Sequence, residues 1–238
     1  MNLIVLDTET SDLDPDKGAK LLEIAWIELS HTGQHWERTN SNEFYIEQPA
    51  SLVINPHAQA AHHIRADMLR AENGAISRYD AIRTLLAQIE PSTILVAHNA
   101  DFDSKFLPEI QGSPWICTFR SAKHVWPGAP GYSNQVLRYW LKLEPELPNG
   151  KYPHQALYDA SVTVSILLKM LEQHTPEKLI QLSKSPVRLK TIGFGKHRGQ
   201  DFSNLPLDYV MWLSRQPDLD ADLRFTVDSF LKTANERR

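Results

Sequence analysis

A chain of 238 residues, 42% hydrophobic and 23% charged, has room for one large domain, or for one medium domain with a small appendage, and can bury a sizeable core. A formal charge of −4 excludes bulk attraction to a polyanion, so such a partner would have to be held by local basic clusters or bound metal. The single cysteine, Cys117, excludes an internal disulfide and a cysteine-rich zinc centre. No stretch has the apolar length of a membrane span, and no basic-then-apolar leader opens the chain, so a cytoplasmic enzyme without a membrane partner is expected.

Leu3-Ile4-Val5-Leu6 is a short, continuous run of aliphatics and predicts a strand buried on both faces at the centre of a sheet. It runs into Asp7-Thr8-Glu9-Thr10. Side chains alternate along a strand, so Asp7 and Glu9 leave its end on the same side. Two carboxylates at the rim of an apolar core repel each other and lose water, and a divalent cation between them relieves both costs. Taken alone, the stretch suits that reading and a solvated turn equally. Residues 11–15 have the composition of a turn. Strands are expected over 21–29 and 43–47, completing an antiparallel meander with the first. Residues 49–56 break the pattern, and a short helix is expected within 58–69, which contains His62 and His63.

Ile82, Leu85, Leu86 and Ile89 recur at helical spacing and predict an amphipathic helix over 79–90, stopped by Pro91. Residues 94–97 read as a second buried strand, delivering His98-Asn99-Ala100-Asp101-Phe102-Asp103 at its end. Polar groups at the ends of buried strands are where α/β proteins build their sites. A short strand over 115–118, a helix over 119–125 and another from Ser133 or Asn134 to Leu141 follow. A long helix is expected over 155–173. Leu157, Ala160, Val164, Leu167 and Leu171 form one apolar stripe on it, and Asp159 falls in a second stripe with Ala156, Ile166 and Met170. A carboxylate on so wide an apolar face is costly unless paired or metal-bound. His154, five residues earlier, can reach the same point.

Beyond residue 175 the character changes. Lys184, Arg188, Lys190, Lys196 and Arg198 occur within 183–200 with no acid among them, and 193–199 is a glycine-punctuated turn holding Phe194. Two helices are expected over 208–231, with Trp212, Leu213 and Phe225 as core candidates. This reads as a small, mostly helical module over 188–238, after a first domain over 1–174 and a linker over 174–187. Basic, glycine and aromatic residues together suit phosphate and base contacts, with Lys196 and Arg198 as candidates; a solvated turn fits equally.

Four acids therefore stand at strand ends or on a buried helix face: Asp7, Glu9, Asp103 and Asp159, with His154 beside the last. Oxygen-only ligands favour magnesium or manganese over zinc. Two such ions about 4 Å apart can clamp both oxygens of a phosphodiester displacement, and a neutral histidine can accept the proton of the attacking water. The segments 7–10, 98–103 and 154–159 resemble, in order, the three exonuclease motifs of the DEDD superfamily, and the histidine five residues before the last aspartate marks its DEDDh branch. The resemblance extends over nearly the whole chain, including the C-terminal module.

It implies a ribonuclease H-like α/β fold, a mixed sheet flanked by helices. The implied activity is 3′→5′ hydrolysis of DNA ends, single-stranded or duplex, releasing 5′-mononucleotides in repair or proofreading. Asp7, Glu9, Asp103 and Asp159 would hold two ions, and His154 would be the general base. Thr10 and Leu13 match family positions near the terminal nucleotide, Leu13 as a wedge against its base, and His62 matches a histidine near the 3′ end. The family has glycine where this chain has Asp12. Two alternatives stand beside this reading: trimming of RNA 3′ ends by the same metal core, and a non-catalytic interaction module that kept the fold.

Overall fold

The computed structural model describes residues 1–236, with side chains up to residue 233. It contains β1 (Asn2–Thr10), β2 (Leu21–His31), β3 (Trp36–Tyr45), α1 (Pro56–His62), α2 (Arg78–Leu86), β4 (Ile94–Ala97), α3 (Ala100–Phe106), β5 (Trp115–Cys117), α4 (Thr118–Val125), α5 (Asn134–Trp140), α6 (Ala156–Leu171), α7 (Pro176–Lys184), α8 (Leu207–Ser214) and α9 (Ala221–Glu236). The chain divides into two compact units, Met1–Ser183 and Lys184–Arg238.

In the first unit the sheet order is β3-β2-β1-β4-β5. β1 pairs antiparallel with β2 and parallel with β4, as expected for a central strand, and Leu3, Ile4, Val5 and Leu6 are 0–1% exposed. The alternation of β1 divides the core. Leu3 and Val5 pack on one face with Leu137, Ala160, Val164, Leu167 and Leu179, from α5, α6 and α7. Ile4 and Leu6 pack on the other with Ile82, Leu85, Ala100 and Phe106, from α2 and α3. Each such aliphatic side chain contributes about 1.5–3 kcal/mol when fully buried.

Four expectations need correction. The third strand begins at Trp36, well before residue 43. It is an edge strand with a largely polar sequence, so apolar periodicity does not mark its start. α2 ends at Leu86, because the N–H groups of Gln88 and Ile89 turn back to the Leu85 and Leu86 carbonyls, tightening the chain before Pro91. The expected linker over 174–187 contains α7, which closes on the core through the fully buried Leu179, so the first unit runs to Ser183 instead of 174. In the second unit Ile192, Phe202, Leu205, Val210, Leu213, Leu223 and Val227 form the core. Trp212 and Phe225 are not part of it, being 51% and 42% exposed.

Candidate active site

Because β1 and β4 run parallel, their C-terminal ends open at the same edge of the sheet. β1 continues past its last β4 partner, Val5, into Asp7, Thr8 and Glu9. Asp7 and Glu9 share the parity of Leu3 and Val5 and so emerge on the α6 side, where Asp159 sits in the first turn of that helix. Thr8 points the other way, and its hydroxyl donates to Oδ1 of Asp103 at 2.8 Å. Asp103 is buried in α3, which starts where the chain bends sharply after β4. Asn99 makes that bend with φ 77°, a left-handed conformation that asparagine adopts more readily than most residues. Asp101 is exposed in the same turn.

His98 of the same segment is structural. Its Nε2 lies 2.7 Å from the Tyr132 carbonyl, which can only accept, so the proton is on Nε2 and Nδ1 accepts from the Thr118 hydroxyl at 2.9 Å. Burial pushes its pKa down to about 4 and keeps it neutral.

The approach to α6 positions the other side of the site. His154 has φ 65°, and in that conformation its N–H donates to Oδ2 of Asp159 at 3.0 Å while its ring projects into solvent. Its Nδ1 stands 4.0 Å from the same oxygen. One ligand atom each from Glu9, His154 and Asp159 lie within 4.8 Å of one another.

The electrostatics of the group are one-sided. Burial, and then the charges of Asp103, Asp159, Glu9 and Glu23, hold the Asp7 carboxyl well above the usual carboxylate range. Burial, followed by Glu23, Asp159 and Asp103, pushes Glu9 up to about 8. Burial raises Asp103 to about 7 against the Thr8 hydrogen bond, and raises Asp159 against the His154 N–H. Four oxygen-donor groups thus crowd one rim with no cationic group among the main influences on Asp7 and Glu9. They must share protons or share cations. This donor set fits hard divalent ions.

Glu23 is a further acid at this rim that the motifs do not mark. It sits opposite Glu9 in the β1–β2 register and is fully buried. Oε2 accepts the Ala156 N–H at 3.1 Å, satisfying a free donor at the start of α6. Oε1 is buried without a hydrogen-bond partner, as is Oε1 of Glu43. Burial, with Glu43, pushes Glu23 up to about 7. Glu43 in turn binds Lys151 at 2.7 Å. The only signal in the sequence is an acid inside an otherwise apolar run, Leu21-Leu22-Glu23-Ile24-Ala25. Replacing Glu23 with alanine is expected to leave the Ala156 N–H unpaired, costing roughly 1–3 kcal/mol, whereas glutamine, which can still accept that hydrogen bond, restores most of that stability. Thermal unfolding of the two variants measures the difference, and equal losses would exclude the Ala156 hydrogen bond as its source.

The other expected substrate residues lie around the turn that follows β1. The Thr10 hydroxyl donates to the Asp12 carbonyl at 2.7 Å, and Leu13 is 73% exposed. Asp12 has no positive φ, so glycine's freedom is not needed there. Its carboxylate accepts from the Leu13 N–H at 2.7 Å and from Asn55 at 3.0 Å, and the Asn55 hydrogen bond leads the effects that lower its pKa. Asn55 caps α1, at whose far end His62 is buried and His63 exposed. The Ile64 N–H donates to Nδ1 of His62, leaving Nε2 as the N–H; burial lowers the ring's pKa, partly offset by the Thr10 backbone. Lys196 and Arg198 are exposed in the second unit, in and just after the helical turn Gly195–His197.

Among the described residues no helix is long and apolar enough to cross a membrane. Residues 4–167 match the RNase T exonuclease family. The chain is 33% identical to exodeoxyribonuclease 10 of Escherichia coli strain K12 over 97% of its own length and 99% of the relative's. It is 32% identical to ribonuclease T of Salmonella choleraesuis strain SC-B67, over 71% of this chain and 84% of that one. Exonuclease X, solved in complex with 5′-overhanging duplex DNA, superimposes with a TM-score of 0.61 at 30% identity, covering 76% of this chain and 99% of that structure. With its mixed sheet, its flanking helices and its acidic rim, the chain belongs to the RNase T exonuclease family and is a 3′→5′ exonuclease, a hydrolase.

Proposed function

We propose that the substrate is DNA, degraded from its 3′ ends to 5′-mononucleotides, and that Asp7, Glu9, Asp103 and Asp159 hold two magnesium or manganese ions with His154 as general base. The observation that carries this reading is the rim itself, where carboxylates from β1, α3 and α6 come together, all four raised by burial and Asp7 and Glu9 also by their acidic neighbours, with no lysine or arginine among the main influences on any of them. Bound divalent ions would supply Lewis acidity, making water nucleophilic near neutral pH and offsetting the charge of the phosphate.

The chain's own residues supply the rest. The Thr8 hydrogen bond fixes the Asp103 carboxylate, and the His154 N–H fixes that of Asp159, so both present their remaining lone pairs. The exposed ring of His154 stands beside this cluster, where it can take a proton from the attacking water and pass it to solvent. Leu13, extended into solvent from the turn after β1, is suited to pack against the terminal base, with Thr10 and His62 behind it. Such an enzyme belongs with the chromosome in the cytoplasm, in repair or proofreading.

DNA is favoured over RNA because the likeness to exodeoxyribonuclease 10 runs through both units, whereas that to ribonuclease T spans 71% of the chain. RNA trimming remains the second reading on the strength of that latter identity.

Digestion of 5′-labelled single-stranded DNA and of the matching RNA, with magnesium and with chelator, tests both. We expect a metal-dependent ladder shortening from the 3′ end on DNA and no ladder with Asp7→Ala. A ladder on RNA alone would transfer the enzyme to the trimming class, and hydrolysis that survives the chelator would refute the metal assignment.

A further inference from the structure

We propose that Tyr209 and Trp212, on α8 of the second unit, form a stacking platform for a base of single-stranded nucleic acid, with Lys196 placed for the adjoining phosphate. This deepens the reading of the chain as a nuclease on polynucleotides and rests on it, adding a binding site built from second-unit residues alone.

The platform follows from the helix. Val210 and Leu213 turn into the core of the unit, being 0% and 1% exposed. Tyr209 and Trp212, three residues apart, share an adjacent face. Their rings lie nearly parallel, with centroids 5.6 Å apart and planes at 25°. Behind Tyr209 the His197 ring packs at 4.5 Å and is itself held by Gln200 at 2.8 Å. The aromatic stack is therefore supported on one side and open on the other, where Trp212 remains 51% exposed. Tryptophan offers more apolar area than any other side chain, and leaving half of it in water forfeits burial that a small core would gain from.

The surroundings select the ligand. Lys196 places its Nζ 5.6 Å from the Tyr209 ring centroid. Gly195, at φ +66°, lets the basic turn approach so closely that a Cβ there would meet the Tyr209 hydroxyl at 3.3 Å. Lys196, Tyr209, Trp212 and Asp208 line a cleft of about 310 Å³. Asp208 is the one acid on it, and its carboxylate is engaged by the Tyr209 N–H at 2.8 Å. The 183–200 segment carries five basic residues and no acid, and from residue 184 onwards ten Lys and Arg stand against seven Asp and Glu, in a chain whose total is −4. An exposed aromatic stack beside a lysine, in the basic part of an acidic protein, matches base plus phosphate better than a neutral or basic protein surface. Stacking ignores the 2′ position, so DNA and RNA single strands both qualify.

The test uses the full chain in chelator, so that nothing is cleaved, with fluorescence polarisation of labelled dT20, rU20 and an abasic phosphodiester chain of the same length. Trp212→Leu keeps the apolar bulk and removes the ring. It should weaken dT20 and rU20 by about 5- to 100-fold and leave abasic binding unchanged, while Trp212→Phe retains most of the affinity. Lys196→Ala should weaken all three and lower the salt slope by about one. Hydrolysis of thymidine 5′-(p-nitrophenyl phosphate) with magnesium reads the hydrolytic centre separately and should be the same in wild type and Trp212→Leu. Failure of the wild type on that ester would count against the nuclease chemistry alone. Unchanged dT20 binding in Trp212→Leu, or an equal loss on the abasic chain, would overturn the platform, as would binding of none of the three chains by the wild type.

Discussion

Replacing Asp7 with asparagine should abolish hydrolysis and, in the metal-free protein, raise stability. Groups that merely hold a metal ligand cost about 10–100-fold in activity when removed, so if Asp7 is a ligand as proposed, its loss should cost about 10³-fold or more. Stability moves the other way. The carboxyl of Asp7 is raised by burial and by four neighbouring carboxylates, so a neutral side chain of the same shape relieves repulsion without opening a cavity. If that relief is roughly 1–2 kcal/mol, the first unit should melt about 2–8 °C higher in chelator at pH 8. Enzymes commonly hold their active groups in arrangements that cost stability. Calorimetry beside a digestion assay checks both halves, and an Asp7→Asn protein that melts below wild type in chelator would contradict the electrostatic account.

The second large effect is a pH dependence that metal reverses. Glu9 is pushed from its ordinary 4.5 up to about 8, and Glu23 and Asp103 to about 7. Between the ordinary and raised values the folded, metal-free protein holds protons that the unfolded chain has released. Stability from these groups is therefore present below about pH 4.5 and is lost as pH rises through 7 to 8. Histidines act in the opposite sense lower down. His98, kept neutral to about 4, and His62, also lowered, make the folded state less stable as pH falls below about 6.5. The clean window is pH 6.5–8.5. There the melting temperature in chelator should fall with rising pH, and millimolar magnesium should recover it, most strongly at the alkaline end, because ligands already deprotonated release no protons on binding. A flat profile in chelator, or no response to magnesium, would remove the basis for assigning these carboxylates to metal.

How much of this was legible in the sequence depends on whether local chemistry or distant contact decides each residue. β1 announces itself because four consecutive aliphatics leave no solvent face, and alternation then fixes the common side of Asp7 and Glu9. Asp159 was visible because a carboxylate on an apolar helix face needs a reason. Asp103 is legible from its place just after β4, although it is the turn at Asn99 that starts α3 and so positions it. Glu23 was missed because its importance comes from Ala156 and Glu43, which local pattern does not bring near it. The same holds for α7, whose docking rests on Leu179 reaching a core built from earlier strands and helices. Residue type favours Trp212 as a core residue, and the structure leaves it half in water.

The distribution of the acidic rim along the chain also bears on kinetics. Asp7 lies at the start of the sequence, Asp103 near its middle and Asp159 on α6, so the like charges meet only after the longest loops of the first unit have closed. If their repulsion is met after the folding barrier, Asp7→Asn should slow unfolding in chelator and leave refolding unchanged, which stopped-flow kinetics measures. Interactions absent from the transition state alter the rate of unfolding and leave that of folding nearly untouched. On that ordering the acidic rim would shorten the lifetime of the metal-free native state without impeding the route to it, and cations held at the proposed site would lengthen that lifetime.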